Sequence, residues 1–239
     1  MKKLLLIILC FGLLTGTVPI KANATEETFS WYCKRATGNV QPPLPSEFCF
    51  INDYPTIWLD KTESKKIYLT FDAGYENGNV EKILDVLKDK NVKGAFFILV
   101  NLINSNPELV KRMQEEGHLV CNHTARHKNM SQITDIKQFE DELNVLNDAY
   151  HSLTGKEMAM YYRPPEGRFS ELNLKHAQEL GYKTVFWSFA YADWDNASQP
   201  SPEYAKKKVL DNIHNGAVIL LHPTSAKFLH LLPMLGVTE

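Results

Sequence analysis

The stretch Ile67-Tyr68-Leu69-Thr70-Phe71-Asp72-Ala73-Gly74-Tyr75-Glu76-Asn77-Gly78 decides the fold. Its first five residues form a short apolar run rich in β-branched and aromatic side chains, the pattern of a buried strand. A carboxylate follows at once, and two glycines leave the turn free to bend around it. Val80, Ile83, Leu84 and Leu87 then recur at helical spacing. Strand, acid, turn and helix in that order put a reactive group on the open rim of an α/β sheet or barrel. Taken alone the unit is ambiguous, because an Asp after a strand also serves as a cap or turn residue. Its recurrence downstream, with a different reactive side chain each time, gives it weight.

After the first helix, over 79–90, the apolar segment Val92–Val100 holds Ala95-Phe96-Phe97-Ile98 as a second buried strand. Asn106-Pro107 supplies an N-cap and an N1 proline for a helix that ends at Gly117. A third strand, His118–Asn122, leads into His123-Thr124-Ala125-Arg126-His127. The amphipathic stretch Ile136–Leu153 predicts a long helix closed by Gly155. Met158–Tyr162 is the fourth strand and leads into Arg163-Pro164-Pro165-Glu166-Gly167. A helix from Ser170 to Leu180 precedes a fifth strand, Thr184–Ala190, and then Asp193-Trp194. Pro200-Ser201-Pro202 opens a helix to about His214, and Ala217–Leu221 is the last clear strand, ending in His222-Pro223. Short apolar strands alternating with helices of ten or more residues argue for parallel βα units. An open doubly wound sheet and a (β/α) barrel both fit. The barrel is preferred because reactive residues follow five different strands instead of clustering at one crevice. No glycine-rich nucleotide motif follows any strand.

The 239 residues are 44% apolar and 23% charged, ordinary for a globular chain with a sizeable core. Residues 1–24 read as a signal peptide: Lys2 and Lys3 precede the apolar run Leu4–Leu14, and Ala22-Asn23-Ala24 offers small residues at a cut after Ala24. With that segment's three lysines set aside, 23 basic residues face 28 acidic ones, a net charge of −5. No basic block is present, which argues against nucleic acid. Residues 25–60 read as an irregular aromatic arm packed on the main domain, 61–239. Cys33 and Cys49 are spaced to close a loop in an oxidising compartment, or equally to stay reduced, and Cys121 reads as a buried apolar residue.

The residues after the strands carry a chemistry. His123 and His127 place two imidazoles for one metal, and neutral imidazoles suit Zn²⁺ or another borderline divalent cation. Asp72 is the expected general base and His222 the acid that protonates the leaving group. Arg163 suits Asp72, since a guanidinium holds a carboxylate in one orientation and keeps it ionised. Asp193 is expected to fix either Arg163 or His222.

Thr70-Phe71-Asp72-Ala73-Gly74, His123-Thr124-x-x-His127, Arg163-Pro164-Pro165-x-Gly167, Asp193-Trp194 and Leu220-Leu221-His222 resemble, in order, the five motifs of the polysaccharide deacetylases, the NodB-homology family. The resemblance runs from about Lys66 to His222. It implies a deformed (β/α) barrel that removes acetyl groups from sugars with a divalent metal, zinc foremost. It implies Asp72 as base, His222 as acid, His123 and His127 as metal ligands, and Arg163 and Asp193 as the network behind them. Trp194, Leu220, Tyr75 and Asn77 are expected against the substrate, with Leu220 in the acetyl-methyl pocket.

Two departures matter. The family usually carries a second Asp, a third metal ligand, where this chain has Ala73, so the expected site is weakened unless Asn77, Glu76 or substrate completes it. The surrounding residues, with the long Trp187–Trp194 segment and Ser30-Trp31-Tyr32, are similar to the sporulation branch that de-N-acetylates muramic acid and so prepares the δ-lactam of spore cortex. That resemblance implies peptidoglycan glycan strands as partner, a secreted or cell-envelope location including the space around a forespore, no membrane span after signal cleavage, and a monomer. The second departure is that only seventeen residues follow His222, so the barrel is expected to lack its last βα unit. The alternatives are a chitin or xylan deacetylase and a non-catalytic glycan-binding remnant.

Overall fold

The structure is a computed structural model and describes residues 26–36, 38–62, 65–194 and 201–223. The expected signal segment, Pro200 and everything after Pro223 lie outside these residues, as does the expectation of a missing last unit.

The strands are β1 (Thr28–Ser30), β2 (Thr56–Ile57), β3 (Ile67–Ala73), β4 (Ala95–Ile98), β5 (Leu119–Asn122), β6 (Ala159–Tyr162), β7 (Arg168–Ser170), β8 (Lys183–Val185), β9 (Phe189–Ala190) and β10 (Ala217–Leu221). The helices are α1 (Val80–Asp89), α2 (Val100–Ser105), α3 (Pro107–Glu115), α4 (Ile136–Thr154), α5 (Glu171–Glu179) and α6 (Pro202–Asn212). Eight strands form one parallel sheet in the order β2-β8-β6-β5-β4-β3-β10-β9.

Where the sequence pattern predicts one strand over Thr184–Ala190, there are two, with opposite ends of the sheet for neighbours. β8 pairs with β6 and β2, and β9 pairs with β10. Only Phe186, Trp187 and Ser188 separate them, so the sheet curls round on itself into a deformed barrel. Leu59, just past β2, bridges Ala217 across the closure, and Asp60 N–H donates to Gly216 O at 2.9 Å. A Cβ on Gly216 would lie 1.9 Å from Asp60 O, and its φ is +73°, so the closure needs glycine there. β10 is paired on both sides, by β3 and β9, and so presents no open edge.

Period-two alternation divides the strands between two cores. Leu69, Phe71 and Ala73 of β3, Phe96 and Ile98 of β4, and Ala217, Ile219 and Leu221 of β10 face the helices, against Val80, Ile83, Leu84 and Leu87 of α1. Phe97, Cys121, Val218 and Leu220 face the barrel interior. Thr70 and Asp72 alternate with that helix-facing set, so they stand on the interior side.

The arm is more than a cover. β2 is an edge strand of the main sheet, and β1 pairs antiparallel with β7. Trp31 is buried between Phe186, at 4.4 Å between ring centroids, and Phe48, at 5.2 Å, and its Nε1–H donates to Trp187 O. The helix ends follow their side chains. Asp135 caps α4, Gly155 ends it in the left-handed conformation, and Ser170 and Asn173 form a capping box on α5. Asn106 makes no side-chain cap, and the end of the Val92–Val100 segment turns helical as α2. Cys33, Cys49 and Cys121 are unpaired, Cys121 fully buried. Among the described residues no helix is long and apolar enough to cross a membrane.

Candidate active site

The C-terminal mouth of the barrel opens into a cleft of about 950 Å³ lined by Asp72, His123, His127, Leu220 and His222, with Tyr75, Trp187, Tyr191 and Trp194 around them. Asp72 is the penultimate residue of β3, and Leu221 pairs with Phe71 in the parallel register, so His222 stands level with Asp72 across the strand pair.

Arg163 lies wholly buried under the cleft floor. Its Nη1–H donates to Asp72 Oδ1 at 2.7 Å, Nη2–H to Thr70 Oγ1 at 2.8 Å, and Nε–H to Val185 O at 3.2 Å. The guanidinium also sits over the Phe97 ring at 4.1 Å. Burial alone would push the Asp72 carboxyl up. The cations around it, the bonded Arg163 and His222, outweigh that and hold it below the usual carboxylate range.

His123 follows β5. Its Nδ1 lies 2.9 Å from Arg163 O, an atom that can only accept, so Nδ1 carries the hydrogen and the lone pair is on Nε2. That lone pair lies 3.5 Å from Asp72 Oδ2. Burial pushes the imidazole down to about 4, so it is neutral at pH 7. Two acceptors facing each other call for a cation or a proton between them, and the His127 ring stands 5.1 Å away, centroid to centroid. The donor set therefore fits a divalent cation through two imidazoles, with Asp72 beside it. Among the described residues no group of three or more His, Cys, Asp or Glu is placed to hold a metal.

The loop between the two histidines is held against its own preference. Thr124 and His127 both adopt positive φ, +74° and +57°, which costs non-glycine residues on the order of 1 kcal/mol or more each. Three contacts from α4 fix it. Asn122 donates to Leu143 O and accepts from Thr124 N–H, Ala125 N–H donates to Glu142 O, and the buried Glu142 carboxylate pairs with Arg126 and Lys128. Sequence reading passed over Glu142, although a carboxylate on the apolar Phe139–Leu143–Leu146–Tyr150 stripe of the helix was a signal.

Asp193, wholly buried, binds His222 and not Arg163. Oδ1 lies 2.7 Å from His222 Nδ1 and Oδ2 accepts from His222 N–H at 2.8 Å. Burial pushes the imidazole down, but the Asp193 hydrogen bond and the charges of Asp193 and Asp72 prevail and raise it above its ordinary value.

Tyr75 and Trp194 are exposed on the cleft rim, and Leu220 lines its wall. Asn77 is not among the lining residues; its Oδ1 accepts from Asn79 Nδ2 at 2.8 Å. Glu76 is spent on the start of α1, accepting from Gly78 N–H and Val80 N–H. Ala73 packs in the helix-side core and offers no donor. Neither expected substitute for a third ligand is thus brought to the histidines.

A carboxylate whose pKa is held down and an imidazole whose pKa is raised, on one cleft at the mouth of a parallel β/α barrel, suit general-base and general-acid chemistry. The family model described as polysaccharide deacetylase matches residues 59–185, and the chain belongs to that family of carbohydrate-deacetylating enzymes. It is 40% identical over 220 residues, 91% of this chain and 83% of the relative, to the peptidoglycan-N-acetylmuramic acid deacetylase PdaA of Bacillus subtilis. The solved structure of that protein, a family 4 carbohydrate esterase, superposes with a TM-score of 0.83 at 38% identity, covering 89% of this chain and 94% of that one. A family 4 carbohydrate esterase from Bacillus anthracis gives 0.70 at 32% identity, covering 89% and 93%. The barrel, expected from the residues and the motifs, is the fold of these structures.

Proposed function

We propose that this protein hydrolyses the N-acetyl group of N-acetylmuramic acid in peptidoglycan glycan strands, outside the cytoplasm. The observation that carries the reading is the pair of opposed shifts, Asp72 held as carboxylate and His222 held toward imidazolium, on one level of one cleft. The 40% identity to a muramic acid deacetylase supports the substrate.

Asp72, oriented by Arg163, takes a proton from the water that attacks the acetyl carbonyl carbon. His222 gives its proton to the sugar nitrogen as the C–N bond breaks, leaving acetate and a free amine. His123 and His127 are the residues that would hold a divalent cation, zinc foremost. When bound, such an ion polarises the carbonyl and lowers the pKa of water. Leu220 and Trp194 supply apolar wall for the acetyl methyl and the sugar ring. The amine formed at C2 lies beside the lactyl carboxyl at C3, a proximity that favours closure to a δ-lactam, and we assign the enzyme to spore cortex on that ground. The signal segment and a place in the envelope or around the forespore belong to the same reading.

A second reading, a glycan-binding protein without catalysis, is favoured by the two-imidazole donor set with Ala73 beside it. Mass spectrometry of peptide-free glycan strands after incubation with zinc-loaded protein separates the two. Loss of acetyl from the muramic residues supports deacetylation of that sugar. Loss from glucosamine alone moves the substrate, and an unchanged strand that is nevertheless bound supports the second reading.

A further inference from the structure

We propose that Arg35, from the N-terminal arm, is a specificity residue that binds the carboxylate of the lactyl group on muramic acid. The inference rests on the substrate proposed above and names the contact that would select it. N-acetylmuramic acid and N-acetylglucosamine differ only by the lactyl ether on O3, and that group ends in a carboxylate close to the C2 acetamide. A site that prefers the former needs a cation on the wall of the cleft that holds the acetamide.

The cleft supplies one. Among the described residues, Arg35 is the one arginine or lysine that lines it. Arg163 lies beneath the floor with its donors committed to Asp72, Thr70 and two backbone carbonyls. Arg35 is held without being consumed. Its Nη2–H donates to Ala190 O at 2.9 Å and its guanidinium lies over the Phe189 ring at 5.1 Å. A guanidinium has five N–H donors, and the rest of this fork has no partner among the described residues. Among the described residues no carboxylate is paired with it, and Glu166, which also lines the cleft, is paired with Arg168 at 2.9 Å. The anchorage to β9 matters, since a fork already oriented loses less freedom on binding a carboxylate than a free side chain would. The arm thereby gains a purpose beyond covering the barrel, placing a guanidinium in a cleft to which the described βα loops bring no arginine or lysine.

The test compares the wild-type protein, Arg35→Gln and Arg35→Lys on three ligands. These are a peptide-free tetrasaccharide of alternating N-acetylglucosamine and N-acetylmuramic acid, the same sugar with its lactyl carboxylates converted to primary amides, and chitotetraose. Binding is measured by calorimetry and acetate release in parallel, with melting temperature as a check on the arm. We expect Arg35→Gln to weaken binding of the carboxylate sugar about tenfold, the size of one charge-assisted pair at an open wall. Amidation should weaken the wild type by a similar factor, the two losses should not add, and Arg35→Lys should recover part of the binding. Equal weakening of all three ligands, or of none, would overturn the subsite and leave Arg35 as an arm tether. Arg35-dependent preference for the carboxylate without acetate release would sink the deacetylase reading while the subsite stands. Acetate release indifferent to amidation would do the reverse.

Discussion

Asp193 grips His222 through both carboxylate oxygens, one on the ring Nδ1 at 2.7 Å and one on the backbone N–H at 2.8 Å. The ring is thereby oriented with Nε2 as its remaining nitrogen, and its proton is stabilised by a buried charge. His222 must be protonated to act as an acid, so activity falls as pH rises through its folded pKa, which lies above the ordinary value of about 6.5. In Asp193→Asn the charge is gone, and the basic limb of the kcat/KM profile should move to lower pH. The rate above neutrality should drop on the order of 10²-fold or more. An unmoved limb would show that Asp193 only supports the fold.

The same shift has a thermodynamic sign. Because the folded pKa of His222 is raised, protonation favours the folded state. That contribution is complete below about pH 6.5 and is lost as pH rises through the folded value. Denaturant titrations between pH 6 and 9 should show stability declining with pH in the wild type, and declining less in His222→Gln.

Arg163→Met should be among the most damaging single changes. It strips Asp72 of its buried partner and leaves Thr70 and the Val185 carbonyl without a donor. Breaking a buried pair from one side costs about 3–5 kcal/mol. In any folded fraction the acidic limb of the rate profile should move up, since burial would then act on Asp72 with less opposition. Urea unfolding and the pH profile together check this.

Glu142→Gln removes the charge that ties Arg126 and Lys128 to α4 while keeping the size of the side chain. The strained Thr124–His127 loop should loosen, with a stability loss of about 1–2 kcal/mol. Affinity for zinc should fall by roughly 10-fold, the scale seen when groups behind metal ligands are removed. Calorimetric zinc titration reads the second effect apart from the first.

Trp31→Ala opens the stack between Phe186 and Phe48 and should cost about 3–5 kcal/mol. A loss under 1 kcal/mol would mean that the arm docks without Trp31.

The parts of this fold that were legible in the sequence are those written in local pattern. β3 and β10 are apolar runs of strand length, α4 carries both its cap and its terminal glycine, and the reactive residues sit just past strand ends. The division of Thr184–Ala190 was not legible, because both halves are equally apolar. What separates them is barrel closure, in which Ser188 N–H donates to Val218 O thirty residues on. β1 and β2 were invisible for a related reason, each being two or three residues long and paired with a partner more than a hundred residues away. In the cleft, the motif residues could be named but their pairing could not. Asp193 chooses His222 over Arg163 because the register of β10 brings His222 N–H to it, and Glu76 is turned away by the unfilled N–H groups that open α1.

Whether Asp72 and His222 act as base and acid is decided by acetate release from peptide-free muramic acid glycan, comparing zinc-loaded wild type with Asp72→Asn and His222→Ala. The wild type should release acetate, and release should fall on the order of 10²-fold or more in each variant, with binding of the glycan retained. Release at the wild-type rate in either variant would contradict those roles.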